Sequence, residues 1–156
     1  MMLRLLVGFV FISYLVFILL YDALYLVIPD SALLSLAPIA LLGSWLVFGL
    51  DIGHVAIGAA IGFGFFGVMF ALSRGRWIGF GDVKFGLVLG MMLGIYGIAI
   101  DLFFDYVIGS LFALYILGTK KKHLKDRIAF GPFLALGALV ALIFGQAIAV
   151  WYVGLL

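Results

Sequence analysis

The sequence predicts an all-α, polytopic membrane protein with about six transmembrane helices. Of its 156 residues, 68% are hydrophobic and only 10% are charged, and the mean hydropathy is +1.42. Soluble domains are about half apolar and a quarter charged, so this composition excludes a water-soluble globule. The 17% aromatic content excludes a disordered chain. No linker or change in composition is visible, and we therefore expect a single integral membrane domain over residues 1–156.

The spans are expected wherever about 20 mostly apolar residues lie between charges or turn residues. They fall at residues 3–28, 31–50, 52–72, 83–100, 102–118 and 129–155. The first run follows Arg4, as in a signal peptide, but it stays apolar from Leu5 to Tyr21 without a small-residue cleavage site. A retained helix is therefore expected. Asp30, directly after Pro29, is expected to cap the second helix.

The basic residues predict the orientation of these spans. Most of them lie in the third and fifth connections or at their edges: Arg74, Arg76, Lys84, Lys120, Lys121, Lys122, Lys125 and Arg127. Short loops rich in Lys and Arg are cytoplasmic by the positive-inside rule. Only Arg4 would then lie on the other side, so both termini are expected outside.

All seven acidic residues are aspartates, and an ionisable side chain in an apolar span is a functional candidate unless it has a simpler role. Asp51 and Asp101 are expected to cap the outer ends of helices. Asp105, one turn further along, is expected in a solvated first turn, with an ion site as the alternative. Asp22 lacks such a role, because six apolar residues follow it within the first span.

Asp22 and Asp82 are expected at the same depth near the cytoplasmic boundary, where they could act as an aspartyl protease pair. Two neighbouring carboxyl groups share a proton, so that one activates water while the other polarises the scissile carbonyl. Gly79 and Gly81 would leave the backbone before Asp82 open to an extended peptide. The alternative is structural: Asp82 caps its helix and Asp22 pairs with a basic residue. Three glycines follow Asp82 at four-residue steps: Gly86, Gly90 and Gly94. Such a row of small residues would let another helix, such as the first, approach closely.

Three stretches resemble the motifs of the type IV prepilin peptidase family. They are Asp22 with Ile28-Pro29-Asp30, then Gly79-Phe80-Gly81-Asp82-Val83-Lys84, and finally Phe130-Gly131-Pro132-Phe133-Leu134-Ala135. The resemblance implies that Asp22 and Asp82 are catalytic, with Gly79, Gly81 and Lys84 as motif support. It also implies a prokaryotic cytoplasmic-membrane enzyme that cuts short basic leaders from pilin-like precursors. No cofactor or metal is expected.

Long members of this family carry a cysteine-containing cytoplasmic region linked to N-methylation. This chain has no cysteine and its first span begins by Leu5, so a peptidase without methyltransferase activity is expected. Nucleic-acid binding is not expected, because the charges are few and lie beside the membrane.

Three alternatives are weighed against this interpretation. Tyr21-Asp22 and Gly79-Phe80-Gly81-Asp82 also resemble presenilin-like intramembrane proteases, but those have about nine spans, too many for this length. A small proton- or ion-coupled transporter would also place acids within spans. An inactive assembly subunit would have the same composition.

Overall fold

A computed structural model describes residues 1–119 and 129–153. In these residues the chain is helical and has no strand. The helices are α1 (Met2–Tyr25), α2 (Asp30–Leu42) with a π-helical continuation (Gly43–Val47), α3 (Ile52–Ser73), α4 (Phe80–Thr119) and α5 (Gly131–Val153). Within the part of the chain that the structure describes, four helical stretches are long and apolar enough to span a membrane: Met2–Tyr25, Asp30–Val47, Ile52–Ser73 and Phe80–Tyr115. In α5 a shorter segment, Gly131–Gly145, is apolar. The predicted all-α membrane fold is confirmed, with six as an approximate number of spans.

Helix α4 reverses its direction at Gly94, which divides it into a first limb (80–93) and a second limb (95–119). Gly94 has φ +67° and ψ −171°, a conformation that only glycine adopts readily. The first limb packs antiparallel to α3 and the second limb parallel to it. The contacts that show this are Gly62 with Gly86 and Gly58 with Gly90, then His54 with Tyr96 and Phe65 with Tyr106. The predicted division at Asp101 is therefore wrong, because the chain turns earlier.

The glycines of the first limb contact α3. A methyl group at Gly90 would overlap the Gly58 carbonyl oxygen, and one at Gly62 would overlap the Gly86 carbonyl oxygen. The predicted close approach of a helix is thus present. The expectation that α1 makes it is wrong, since α3 occupies this face.

The two ends of the helix bundle differ in charge. At one end, Arg4 donates from Nε to the Val47 carbonyl oxygen at 3.0 Å. Asp51 lies at the same end and accepts a 2.8 Å hydrogen bond from the Gly53 N–H, so its predicted capping role is confirmed. At the other end α1 and α3 finish and α2, α4 and α5 begin. Arg74 and Lys84 lie there, and the basic stretch Lys120–Arg127 lies outside the described residues.

Candidate active site

A cavity of about 1140 Å³ lies at the end of the bundle where α2, α4 and α5 begin. Its walls come from the α1–α2 connection, residues 75–82, the second limb of α4 and the start of α5. Asp22 and Asp82 both line it, although the two residues are only 4% and 7% exposed. The fold therefore brings to one cavity two carboxyl groups that are 60 positions apart in the sequence.

Asp22 lies in the last turn of α1, against the first residue of α5. The helix ends just beyond it, where Leu26 adopts a left-handed φ of 56° and donates its N–H to the Asp22 carbonyl oxygen at 2.9 Å. A methyl group added to Gly131 would lie 2.5 Å from Asp22 Oδ2 and 3.0 Å from its Cγ. The absence of a side chain at Gly131 is thus what lets α5 begin against this carboxyl group.

Asp82 lies in the first turn of α4 and is hydrogen-bonded to the loop before it. Its Oδ2 accepts from the Gly79 N–H at 2.8 Å, and the Asp82 N–H donates to the Gly79 carbonyl oxygen at 3.2 Å. The reciprocal bonds hold the carboxyl group at the cavity wall, and the bond from the Gly79 N–H agrees with the structural alternative in which Asp82 caps the start of α4. Among the described residues neither Asp82 nor Asp22 forms an ion pair, so the basic partner considered for Asp22 is not found there.

Lys84 binds Asp30. Its Nζ donates to both carboxylate oxygens of Asp30, at 2.7 and 2.8 Å, and lies 5.3 Å from the centre of the Phe80 ring. The predicted capping role of Asp30 is wrong, because α2 begins at Asp30 itself with Pro29 as the N-cap residue. The ion pair instead ties the start of α2 to the start of α4.

Gly79 and Gly81 both line the cavity beside Asp82. A methyl group at Gly81 would lie 3.3 Å from Ile28 Cβ, and one at Gly79 would lie 3.5 Å from Asp82 Oδ2. Ile28 also faces Gly131, since its Cδ1 lies 3.2 Å from the position of a methyl group there. Ile28 therefore lies between Gly81, which precedes Asp82, and Gly131, which contacts Asp22.

Asp101 and Asp105 are fully buried, at 0% exposure, and the expectation that they lie at an outer helix boundary is wrong. The reversal at Gly94 precedes both residues, which places them inside the second limb of α4. Asp105 also lines the cavity that holds Asp22 and Asp82. The i, i+4 spacing of two acids is visible in the sequence, but their depth depends on where the chain turns.

Gly131 is a further site residue that sequence reasoning did not single out. It belongs to the Phe-Gly-Pro stretch, but its contact with Asp22 joins residues far apart in the chain. The local signal for this contact is weak, since the sequence contains 21 glycines.

The fold and the cavity define the class of this protein: a multi-pass helical membrane protein with two buried aspartates at one end of its bundle. The sequence matches the type IV leader peptidase family over residues 9–118. The chain belongs to this family, as its motif stretches predicted. The matched range includes the stretches at Asp22 and at Gly79–Lys84, whereas Phe130–Ala135 lies beyond it.

Several curated relatives carry the name prepilin leader peptidase/N-methyltransferase. The protein from Bacillus subtilis (strain 168) is 32% identical over 145 residues, which are 92% of this chain and 58% of the relative. Those from Aeromonas salmonicida (strain A449) and Legionella pneumophila are 29% and 30% identical over 131 residues, 81% of this chain and 45% and 46% of the relatives. The chain therefore spans about half the length of these relatives. No solved structure was found to match it.

Proposed function

We propose that this protein is a membrane aspartic endopeptidase that removes the short basic leader from type IV pilin-like precursors. The observation that carries the proposal is the cavity in which Asp22 and Asp82, each from its own motif stretch, are both buried. Membership of the leader peptidase family and the names of the curated relatives support it. Neither a presenilin-like protease nor a transporter has comparable support.

Hydrolysis would need only the two carboxyl groups and one water molecule. One carboxylate removes a proton from the water, whose oxygen attacks the scissile carbonyl carbon. The other, protonated, donates its proton to the carbonyl oxygen as the tetrahedral intermediate forms. When the intermediate collapses, the C–N bond breaks and a carboxyl group returns a proton to the leaving amine. The Gly79 N–H on Asp82 and the backbone of Gly131 beside Asp22 would keep both groups oriented.

The open end of the cavity would face the cytoplasm of a prokaryotic cell. Arg74, Arg76 and Lys84 lie at this end, and Arg4 lies at the other, as the positive-inside rule requires. The hydrophobic helix of a precursor would stay in the bilayer, and its extended cleavage segment would lie against Gly79 and Gly81. The new N-terminus would then form at the membrane boundary.

The test is cleavage of a co-expressed pilin-like precursor in membranes, scored by loss of its leader. Wild type is compared with Asp22→Asn and Asp82→Asn at matched expression. Asp51→Asn is the matched control, because Asp51 is an exposed aspartate at the opposite end of the bundle. Cleavage is expected in wild type and in the control and is expected to be lost in the other two variants. Cleavage that survives both substitutions would contradict the proposal.

The product of the same reaction locates the cut and tests the expectation on methylation. Sequencing the new N-terminus identifies the bond that is hydrolysed. The mass of the N-terminal peptide is expected to match an unmethylated amine.

A further inference from the structure

A second pair of aspartates lies inside the bundle, and one of the two, Asp105, lines the cavity that holds the proposed catalytic groups. Asp101 and Asp105 are one turn apart on the second limb of α4, and both are 0% exposed. None of their four carboxylate oxygens has a hydrogen-bond partner among the described residues. Two buried negative charges without donors would cost several kcal/mol each. A positive charge must therefore accompany the pair.

The backbone of α5 closes the space around these oxygens at Gly137. A methyl group there would overlap Asp105 Oδ1 and would lie 2.9 Å from Asp101 Oδ1 and 2.8 Å from the Asp101 carbonyl oxygen. A metal ion needs about four to eight ligands. In the described part of the chain no third acidic or histidine side chain joins the pair. The pair therefore suits a proton better than a metal ion, because a bound proton needs only the oxygens of these two carboxyl groups.

The cavity offers a path for that proton. Asp105 lines it, so the pair lies directly beside a space that is open at this end of the bundle. Among the described residues, the other titratable groups that line the cavity with Asp105 are Asp22, Asp30, Arg76, Asp82, Lys84 and Tyr106. The Tyr106 hydroxyl donates to Met69 Sδ at 2.7 Å. Helix α5 contains no charged residue, and the one histidine of α3, His54, lies at the far end near Tyr96.

We propose that Asp101 and Asp105 form a proton-binding site, in which one proton shared by the two carboxyl groups allows α5 to pack against α4. The acid O–H donates to the neighbouring carboxylate, which satisfies both groups with one hydrogen bond. Loss of the proton leaves two like charges facing Gly137 and weakens the contact between α4 and α5. Since Gly131 on the same helix supports Asp22, the proton would also stabilise that end of the cavity. The proton site would exist whether or not the protein cleaves precursors.

Infrared spectroscopy of the purified full chain at neutral pH tests the proposal directly. The protein carries Asp22→Asn and Asp82→Asn, so that the cavity aspartates contribute no signal. A carboxylic-acid C=O band that shifts in D2O is expected, and adding Asp101→Asn with Asp105→Asn should remove it. Absence of the band in the first protein, or its persistence in the second, would overturn the proposal.

The pH dependence of unfolding gives an independent readout in the wild-type background. A proton bound only in the folded state makes the unfolding equilibrium constant rise about tenfold per pH unit above the pKa of a free aspartate, about 3.9. The rise ends at the pH where the folded state also loses the proton. Stability is therefore expected to fall as the pH rises above about 4 in wild type, more steeply than in Asp101→Asn/Asp105→Asn, and the difference in slope should end at alkaline pH. Asp51→Asn should behave as wild type.

Asparagine suits this comparison because its amide donates as the acid O–H does. If the double variant does not fold, either single Asp→Asn variant serves, with the same expected loss of pH dependence. Equal pH dependence in wild type and variant would overturn the proposal. A second comparison measures the stability of both proteins in sodium chloride and in choline chloride. If sodium chloride stabilised wild type but not the variant, the pair would hold a metal ion and the proposal would be overturned.

Discussion

Replacing Gly131 with alanine should displace the Asp22 carboxyl group without unfolding the protein. The added methyl group would lie 2.5 Å from Asp22 Oδ2 and 3.0 Å from its Cγ. Carbon atoms at van der Waals contact lie about 3.5 Å or more from their neighbours, so the oxygen must move by about 1 Å. A short side chain can make this movement by rotation, and α5 need not separate from α1.

The expected effect is large on cleavage and small on stability. A misplacement of about 1 Å at a reacting group can lower the rate about 10²-fold. That factor corresponds to about 2.7 kcal/mol in the activation free energy. Overpacking by one methyl group near a cavity should lower the free energy of unfolding by about 1 kcal/mol, at the lower end of the usual range.

The assay is the initial rate of precursor cleavage by purified protein in detergent, together with the thermal unfolding midpoint of the same sample. Gly145→Ala is the matched control on α5, because its methyl group would lie 3.9 Å from Ile100 Cδ1, an ordinary contact. The control should cleave as wild type does. A folded Gly131→Ala protein with the wild-type rate would refute the argument that the position of Asp22 governs the reaction. Equal losses in both variants would indicate a general effect on α5.

Three further predictions concern the packing of the helices. Gly62→Ala should lower the free energy of unfolding in detergent by about 1–3 kcal/mol, because its methyl group meets the backbone of α4. Gly64→Ala, with open space around it, should be neutral or gain up to about 1 kcal/mol, and equal effects would contradict the close contact between α3 and α4. Reversing either charge of the Asp30–Lys84 pair should cost about 0.2–1 kcal/mol, and exchanging both should restore it; additive losses would argue against the ion pair. Asp51→Ala should lower stability by about 1 kcal/mol and Asp51→Ser by less, as measured by the unfolding midpoint; no difference from wild type would exclude the cap.

The sequence alone determined the membrane fold class and predicted Asp22 and Asp82 as the candidate catalytic residues. A segment that crosses a bilayer must be apolar over about 20 residues, so its composition and length reveal it without reference to any other segment. The motifs around Asp22 and Asp82 are equally local, and their resemblance to one family needed no contact between them. The predicted fold class agrees with the helices, and the predicted family agrees with the family match.

Only the tertiary structure decided where the chain turns and what each polar group contacts. An aspartate between apolar runs predicts a helix end, but the reversal occurs at Gly94, and Asp101 consequently lies in the interior. Likewise, Asp30 meets a lysine 54 positions away, and Gly131 meets Asp22. The sequence around a residue predicts its local secondary structure, whereas its burial and its hydrogen-bond or ion-pair partners depend on how distant helices pack. The physical role of a buried acid is therefore determined by those neighbours.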